Sequence, residues 1–166
     1  MHAHALDTLV NEASRDSARV LDVGIGSGYL CAAFARLNPT AHITGIDVIP
    51  ELVTLSRANI LKEDPTLMDH VEIPEACNGW KGYLKNAPYD AIHVGAAAAR
   101  LPTDLLEQLK VGGKMVIPVG PDGGDQMLVQ VVRTKGAKSG APVEEQYEVT
   151  NLMGVRYVPL VDGVAE

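Results

Sequence analysis

Aromatic residues are scarce in this 166-residue chain: one Trp, one Phe and five Tyr, 4% in all. Its core must therefore come from Val, Leu, Ile, Ala and Met, and a chain this long can bury such a core without covalent staples. Cysteine is scarcer still. Cys31 and Cys77 lie far apart and form no CxxC pair, so they read as reduced, buried thiols of a cytoplasmic protein. Basic charge is in the minority, 14 Lys and Arg against 21 Asp and Glu for a net −7. That balance argues against nucleic acid or an anionic membrane surface as a partner. No apolar stretch reaches membrane-spanning length, and "MHAHALDTLV" lacks the basic and apolar regions of a signal peptide.

What is present alternates. Residues 3–14 carry a helical apolar stripe, and "ARVLDVG" (18–24) reads as a buried strand closed by glycine. "YLCAAFARLNP" returns to helical spacing. "HITGIDV" is a strand, and "PELVTLSRANILKED" a helix with Pro50 in its first turn. "VEIPEAC" reads as a third strand, at a sheet edge because Pro74 cannot donate to a ladder. "YDAIHVGA" is a fourth strand, "PTDLLEQLK" a helix closed after Lys110 by Gly112-Gly113, and "KMVIPVG" a fifth strand. "DQMLVQVVRTK" and "VEEQYEVTNLMGVRYVPLV" read as two extended segments joined at "GAKSGAP", a closing hairpin. The order predicts one α/β domain over residues 1–166, with a doubly wound, mostly parallel sheet and an antiparallel C-terminal edge.

The first strand ends in "VLDVGIGSGYL", with Gly24, Gly26 and Gly28 on alternate positions. Glycines there let a ligand approach the backbone, and the following helix offers free N–H groups. Asp47 ends the second strand 19 residues after Gly28, where an acid can accept bonds from both ribose hydroxyls. A dinucleotide fingerprint is GxGxxG, but this chain has GxGxG and places Tyr29 at the third glycine position. Asp22 before the turn would repel a pyrophosphate and suit a cation. A sulfonium bearing an α-amino group is such a ligand, so S-adenosylmethionine fits better than NAD.

Further stretches narrow the reading. "MHAHAL", "APYDAIHVGAAA" (87–98), "LKVGGKMVIPVGPDGGDQMLVQ" (109–130) and "MGVRYVPL" (153–160), taken with "VLDVGIGSGYL", resemble the protein L-isoaspartate (D-aspartate) O-methyltransferases in order and spacing. The resemblance runs from His2 to about Leu160. It implies a Rossmann-like class I methyltransferase that moves a methyl from S-adenosyl-L-methionine to the α-carboxylate of L-isoaspartyl residues in damaged proteins or peptides. S-adenosyl-L-homocysteine would be the other product. By resemblance, Asp22, Gly24, Gly26, Gly28 and Asp47 hold the cofactor, with Asn78 and Gly79 near its adenine. His2, His93, Gly95 and Ala96 fall on the substrate side.

The family's active-site hydroxyl lies in a segment upstream of "MHAHAL". No catalytic residue is therefore assigned within this chain, which reads as a shortened form that is active only with that segment present. Asn78 stands where the family usually has an acid, and Val161 where it has a threonine. A monomer is expected. A non-catalytic module binding S-adenosylmethionine or S-adenosylhomocysteine remains the alternative, with an NAD-dependent oxidoreductase behind it.

Other residues have plainer readings. His2 and His4 lack a third ligand in sequence reach, so no metal is expected. His93, in an apolar strand, reads from the residues alone as a satisfied core histidine. Cys31 reads as core packing. Trp80 could stack on adenine or cover the sheet edge.

Overall fold

The computed structural model describes residues 2–135 and 143–163. Its elements run α1 (His2–Ala13), β1 (Arg19–Val23), α2 (Tyr29–Leu37), β2 (His42–Ile46), α3 (Pro50–Glu63), β3 (Val71–Glu72), β4 (Tyr89–Val94), α4 (Thr103–Gln108), β5 (Leu109–Val119), β6 (Gln126–Arg133), α5 (Val143–Gln146) and β7 (Tyr147–Val155). The sheet order is β3-β2-β1-β4-β5-β6-β7. Neighbours from β3 to β5 are parallel, and β6 and β7 add two antiparallel strands.

Strand periodicity separates two cores. Val20 and Ala91 face one side of the sheet, with Leu9 of α1, Phe34 of α2 and Ile60 of α3. Leu21, Ile92 and Val94 face the other, with Leu105 and Leu106 of α4. Helices thus cover both faces, as a parallel sheet with two apolar sides requires. The edge position expected of the strand containing Pro74 holds, because β3 pairs only with β2 and stops at Glu72, before the proline.

Three boundaries differ from expectation. Helix α4 ends at Gln108, and the chain enters β5 directly. Gly112-Gly113 are therefore no helix cap: they sit in a bulge between the register pairs Tyr89↔Leu109 and Ala91↔Lys114. A Cβ at Gly113 would lie 2.8–2.9 Å from the Lys110 and Tyr89 carbonyl oxygens, so the bulge needs glycine. The last extended segment is also broken, since residues 143–146 are a helical turn and the chain leaves the sheet after Val155. The predicted turn "GAKSGAP" lies outside the described residues. No helix among the described residues is long and apolar enough to cross a membrane.

Candidate functional site

The strand order reverses between β1 and β4, and the chain ends of β1, β2 and β4 open there into a cleft. In open α/β sheets this is where ligands bind. The cleft, about 290 Å³, is lined by Gly24 and Gly26, by Asp47, by Gly79, and by Gly95 and Ala96. Apolar side chains from Ile46 to Leu52 form one wall, and residues 158–161 form the other. A larger cavity, about 320 Å³, lies at the opposite, amino ends of β2 and β3. It contains none of the glycine-turn residues, so the cleft is the stronger candidate.

The glycine turn takes its shape from three left-handed residues, Gly24, Gly26 and Gly28, with φ of +80, +51 and +84°. Such a run is open to glycine and costly for other residues. The Gly26 N–H donates to Asp47 Oδ2 (3.2 Å), and the Ile49 N–H donates to Oδ1 (3.1 Å). Asp47, 6% exposed, is thereby fixed with one acceptor position still free on each oxygen. Gly28 has another task. A Cβ there would come within 3.0–3.3 Å of Ser56 and Ile60, so it seats α2 against α3 and does not line the cleft.

Asn78 and Gly79 divide the work of their turn. The Asn78 Oδ1 accepts the Trp80 N–H (2.9 Å), and its Nδ2 donates to Asp162 (3.3 Å). Gly79 is the residue that reaches the cleft, where a Cβ would overlap Val23 and Leu160 at 2.8 Å. Trp80, expected either to stack on adenine or to cover the sheet edge, packs against the second core and is not among the cleft residues. Its indole N–H donates to the Leu160 carbonyl (2.9 Å), and its ring lies 5.7 Å from the Arg100 guanidinium.

A second, smaller cavity of about 100 Å³ adjoins the cleft and shares Gly24 and Gly95 with it. Asp22, His93, His2 and Tyr157 line it. Asp22 and His93 are register partners across β1 and β4, and His93 Nδ1 meets Asp22 Oδ1 at 2.7 Å. Cys31 stands behind, its thiol 3.4 Å from Asp22 Oδ2. Burial, reinforced by the Asp22 carboxylate, pushes the Cys31 thiol well above its ordinary range. His2 stacks on Tyr29, the ring centroids 5.3 Å apart.

The expected site residues therefore fall in three places. Gly24, Gly26, Asp47, Gly79, Gly95 and Ala96 share the cleft; Asp22, His93 and His2 line the small cavity; Gly28 and Asn78 support the frame. The residue reading gave no role to residues 157–161. These form a strap, pinned where the Ala97 N–H donates to the Val158 carbonyl and the Leu160 N–H donates to the Ala97 carbonyl, both at 2.8 Å. Buried Gln126 holds its start, accepting the Tyr157 N–H (2.6 Å) and donating to the Tyr157 carbonyl (3.1 Å). Pro159, unable to extend a ladder, was the available signal.

A family model for protein-L-isoaspartate(D-aspartate) O-methyltransferase (PCMT) matches residues 1–165. A Triticum aestivum protein-L-isoaspartate O-methyltransferase is 42% identical over 174 residues, covering 100% of this chain and 69% of its own length. A Caenorhabditis elegans protein of the same name is 40% identical over 163 residues, covering 96% of this chain and 68% of its own. Among solved structures, a Plasmodium falciparum protein described as a protein-L-isoaspartate O-methyltransferase superposes with TM-score 0.83 at 29% identity. That match covers 98% of this chain and 74% of the other, which is in complex with S-adenosyl-L-homocysteine. A Thermotoga maritima S-adenosylmethionine-dependent O-methyltransferase, at 21% identity and TM-score 0.55 over 70% of this chain and 43% of its own, shares the fold.

Proposed function

Since the chain belongs to the protein-L-isoaspartate(D-aspartate) O-methyltransferase family, we propose that it is a repair methyltransferase acting on the α-carboxylate of L-isoaspartyl residues in damaged proteins and peptides. S-adenosyl-L-methionine is its methyl donor and S-adenosyl-L-homocysteine the product left behind. The observation that carries this reading is the paired cavity, a long cleft with a fixed carboxylate and a small polar chamber that meet at two glycines.

The residues present fit the donor. Asp47 would hold the ribose hydroxyls through its two remaining acceptor positions. Gly79, held by the Asn78 turn, would border the adenine beside the apolar wall. Gly24 and Gly26 would lie along the amino-acid end, with Asp22 as the nearby anion. When bound, S-adenosyl-L-methionine supplies an electrophilic methyl on a sulfonium centre. Gly95 and Ala96 would bound the point where the methyl acceptor arrives, with His2 and His93 on the acceptor's side.

An α-carboxylate has an ordinary pKa of about 3.5 and is already anionic at neutral pH. These residues need not withdraw a proton: they orient two reactants and keep water out. Orientation alone supplies up to roughly 7–11 kcal/mol in favourable cases. The methyl ester then closes spontaneously to a succinimide that can reopen to aspartate.

The unpaired Cys31 and Cys77 support a reducing cytoplasmic setting. The net charge of −7 supports protein rather than nucleic-acid or membrane partners. We read the chain as a monomer, which size-exclusion chromatography with light scattering would check.

The direct test is transfer of labelled methyl from S-adenosyl-L-methionine to an L-isoaspartyl peptide, with its aspartyl twin as control, by the chain joined to the family's upstream segment. Base-labile label on the isoaspartyl peptide alone is the expected result. A folded chain that binds S-adenosyl-L-homocysteine but labels neither peptide would overturn the enzymatic reading and leave a cofactor-binding module.

A further inference from the structure

His93 is only 7% exposed, and its Nδ1 is committed to Asp22. A carboxylate can only accept, so Nδ1 carries a proton. The other ring nitrogen, Nε2, has no protein partner among the described residues, although the ring lines the small cavity. Asp22 is 1% exposed, and among the described residues only the Cys31 thiol, a weak donor at 3.4 Å, serves its side chain apart from His93. A buried carboxylate so sparsely served calls for a counter-charge.

The groups around the ring supply no rival anion. Cys31 from α2, His2 from α1 and Tyr157 from the strap are the other titratable neighbours, and β5 places Val116 in register beside His93. Nε2 therefore meets no protein group among the described residues, and the chamber it borders joins the cleft at Gly24 and Gly95.

We propose that His93, held by Asp22, is a carboxylate-binding residue at this junction, donating its Nε2–H to a carboxylate oxygen of a bound ligand. Two sources offer that group: the isoaspartyl α-carboxylate, which rests on the function proposed above, and the carboxylate at the amino-acid end of the cofactor.

Two ligand pairs separate them in equilibrium binding at neutral pH, with wild type beside His93→Asn, whose amide can replace Nδ1 toward Asp22 but does not reach the place of Nε2. The first pair is S-adenosyl-L-homocysteine and its decarboxylated analogue S-adenosyl-3-thiopropylamine, which keeps the amino group and lacks only the carboxylate. The second pair, measured with S-adenosyl-L-homocysteine bound, is an isoaspartyl peptide and its α-carboxamide, a neutral twin slow to close to the succinimide. His93→Asn is expected to reduce the preference for the carboxylate-bearing member at least tenfold in one pair. A fall in the peptide pair assigns the substrate carboxylate, and a fall in the nucleoside pair assigns the cofactor's. Unchanged preference in both overturns the proposal.

Binding of S-adenosyl-3-thiopropylamine at wild-type strength shows that the variant is folded. Should it not fold, nitrogen-15 NMR of the wild-type imidazole decides. The expected signature is a doubly protonated ring whose Nε2 signal moves with the carboxylate-bearing member of one pair and not with the member that lacks it. A neutral ring that ignores both acids overturns the proposal. A wild type that binds isoaspartyl and aspartyl peptides alike refutes the isoaspartyl reading, while the nucleoside pair still tests His93.

Discussion

Asp22 and His93 face each other across the parallel pair β1–β4, in register and 2.7 Å apart, on the sheet face that also carries Cys31. The period of two along each strand puts both side chains on the α2 side. Their position at the carboxyl ends places them under the glycine turn. A core contact and a site contact are here the same bond.

Asp47 and Gly28 were both expected to hold the cofactor, and they should fail differently. On the proposed function, Asp47→Ala removes acceptors for two ligand hydroxyls, at about 1.5–3 kcal/mol for each bond to a charged group. Affinity for S-adenosyl-L-homocysteine should fall more than about a hundredfold by calorimetry. Gly28→Ala forces a side chain into a left-handed conformation, at about 1–2 kcal/mol, and crowds Ser56. It should lower the melting temperature by a few degrees with a smaller loss of affinity. Equal affinity losses would show that Gly28 touches the ligand.

Gln126 should control the strap. Gln126→Ala removes the bonds to both backbone groups of Tyr157, each worth about 1 kcal/mol net. Hydrogen exchange at the Leu160 and Ala97 amides should accelerate roughly tenfold, because their bonds pin the strap. Cofactor affinity should drop with it. Unchanged exchange would mean that Trp80 and Ala97 hold the strap without Gln126.

The Cys31 thiol should be silent in the folded protein. Burial first, then Asp22, raises its pKa well above the ordinary value of about 8.5. The unfolded chain therefore loses a proton that the native state keeps, and stability falls as pH rises past about 8.5. Cys31→Ala should flatten that alkaline decline in urea titrations. At pH 8.5 a thiol reagent should reach half-buried Cys77 first, and Cys31 only on unfolding.

Glu72 acts at the acid end. Asn86 and then Lys85 hold its carboxyl below the usual range. Its contribution is present above the ordinary pKa of about 4.3 and is lost as pH falls through the lower folded value. Glu72→Gln should give a protein less stable at neutral pH, with a shallower loss of stability between about pH 5 and pH 3. Parallel pH curves for variant and wild type would remove Glu72 from the acid transition.

The sequence by itself carried the alternation of strands and helices, the edge place of the strand with Pro74, the glycine turn and the acid at Asp47. These are local signals: a period of two or 3.6, a missing N–H, a positive φ. The same signals misplaced α4, β5 and α5. The glycines at 112–113 look alike whether they cap a helix or fill a bulge, and the choice rests on the Tyr89 carbonyl from a neighbouring strand. The strap was beyond local reading too, since its place depends on Ala97, Trp80 and Gln126, which lie 31 to 80 residues away along the chain. Asp22 and His93 are separated by 71 residues, and nothing in either strand alone announces the other. Only the register of β1 on β4 brought them together.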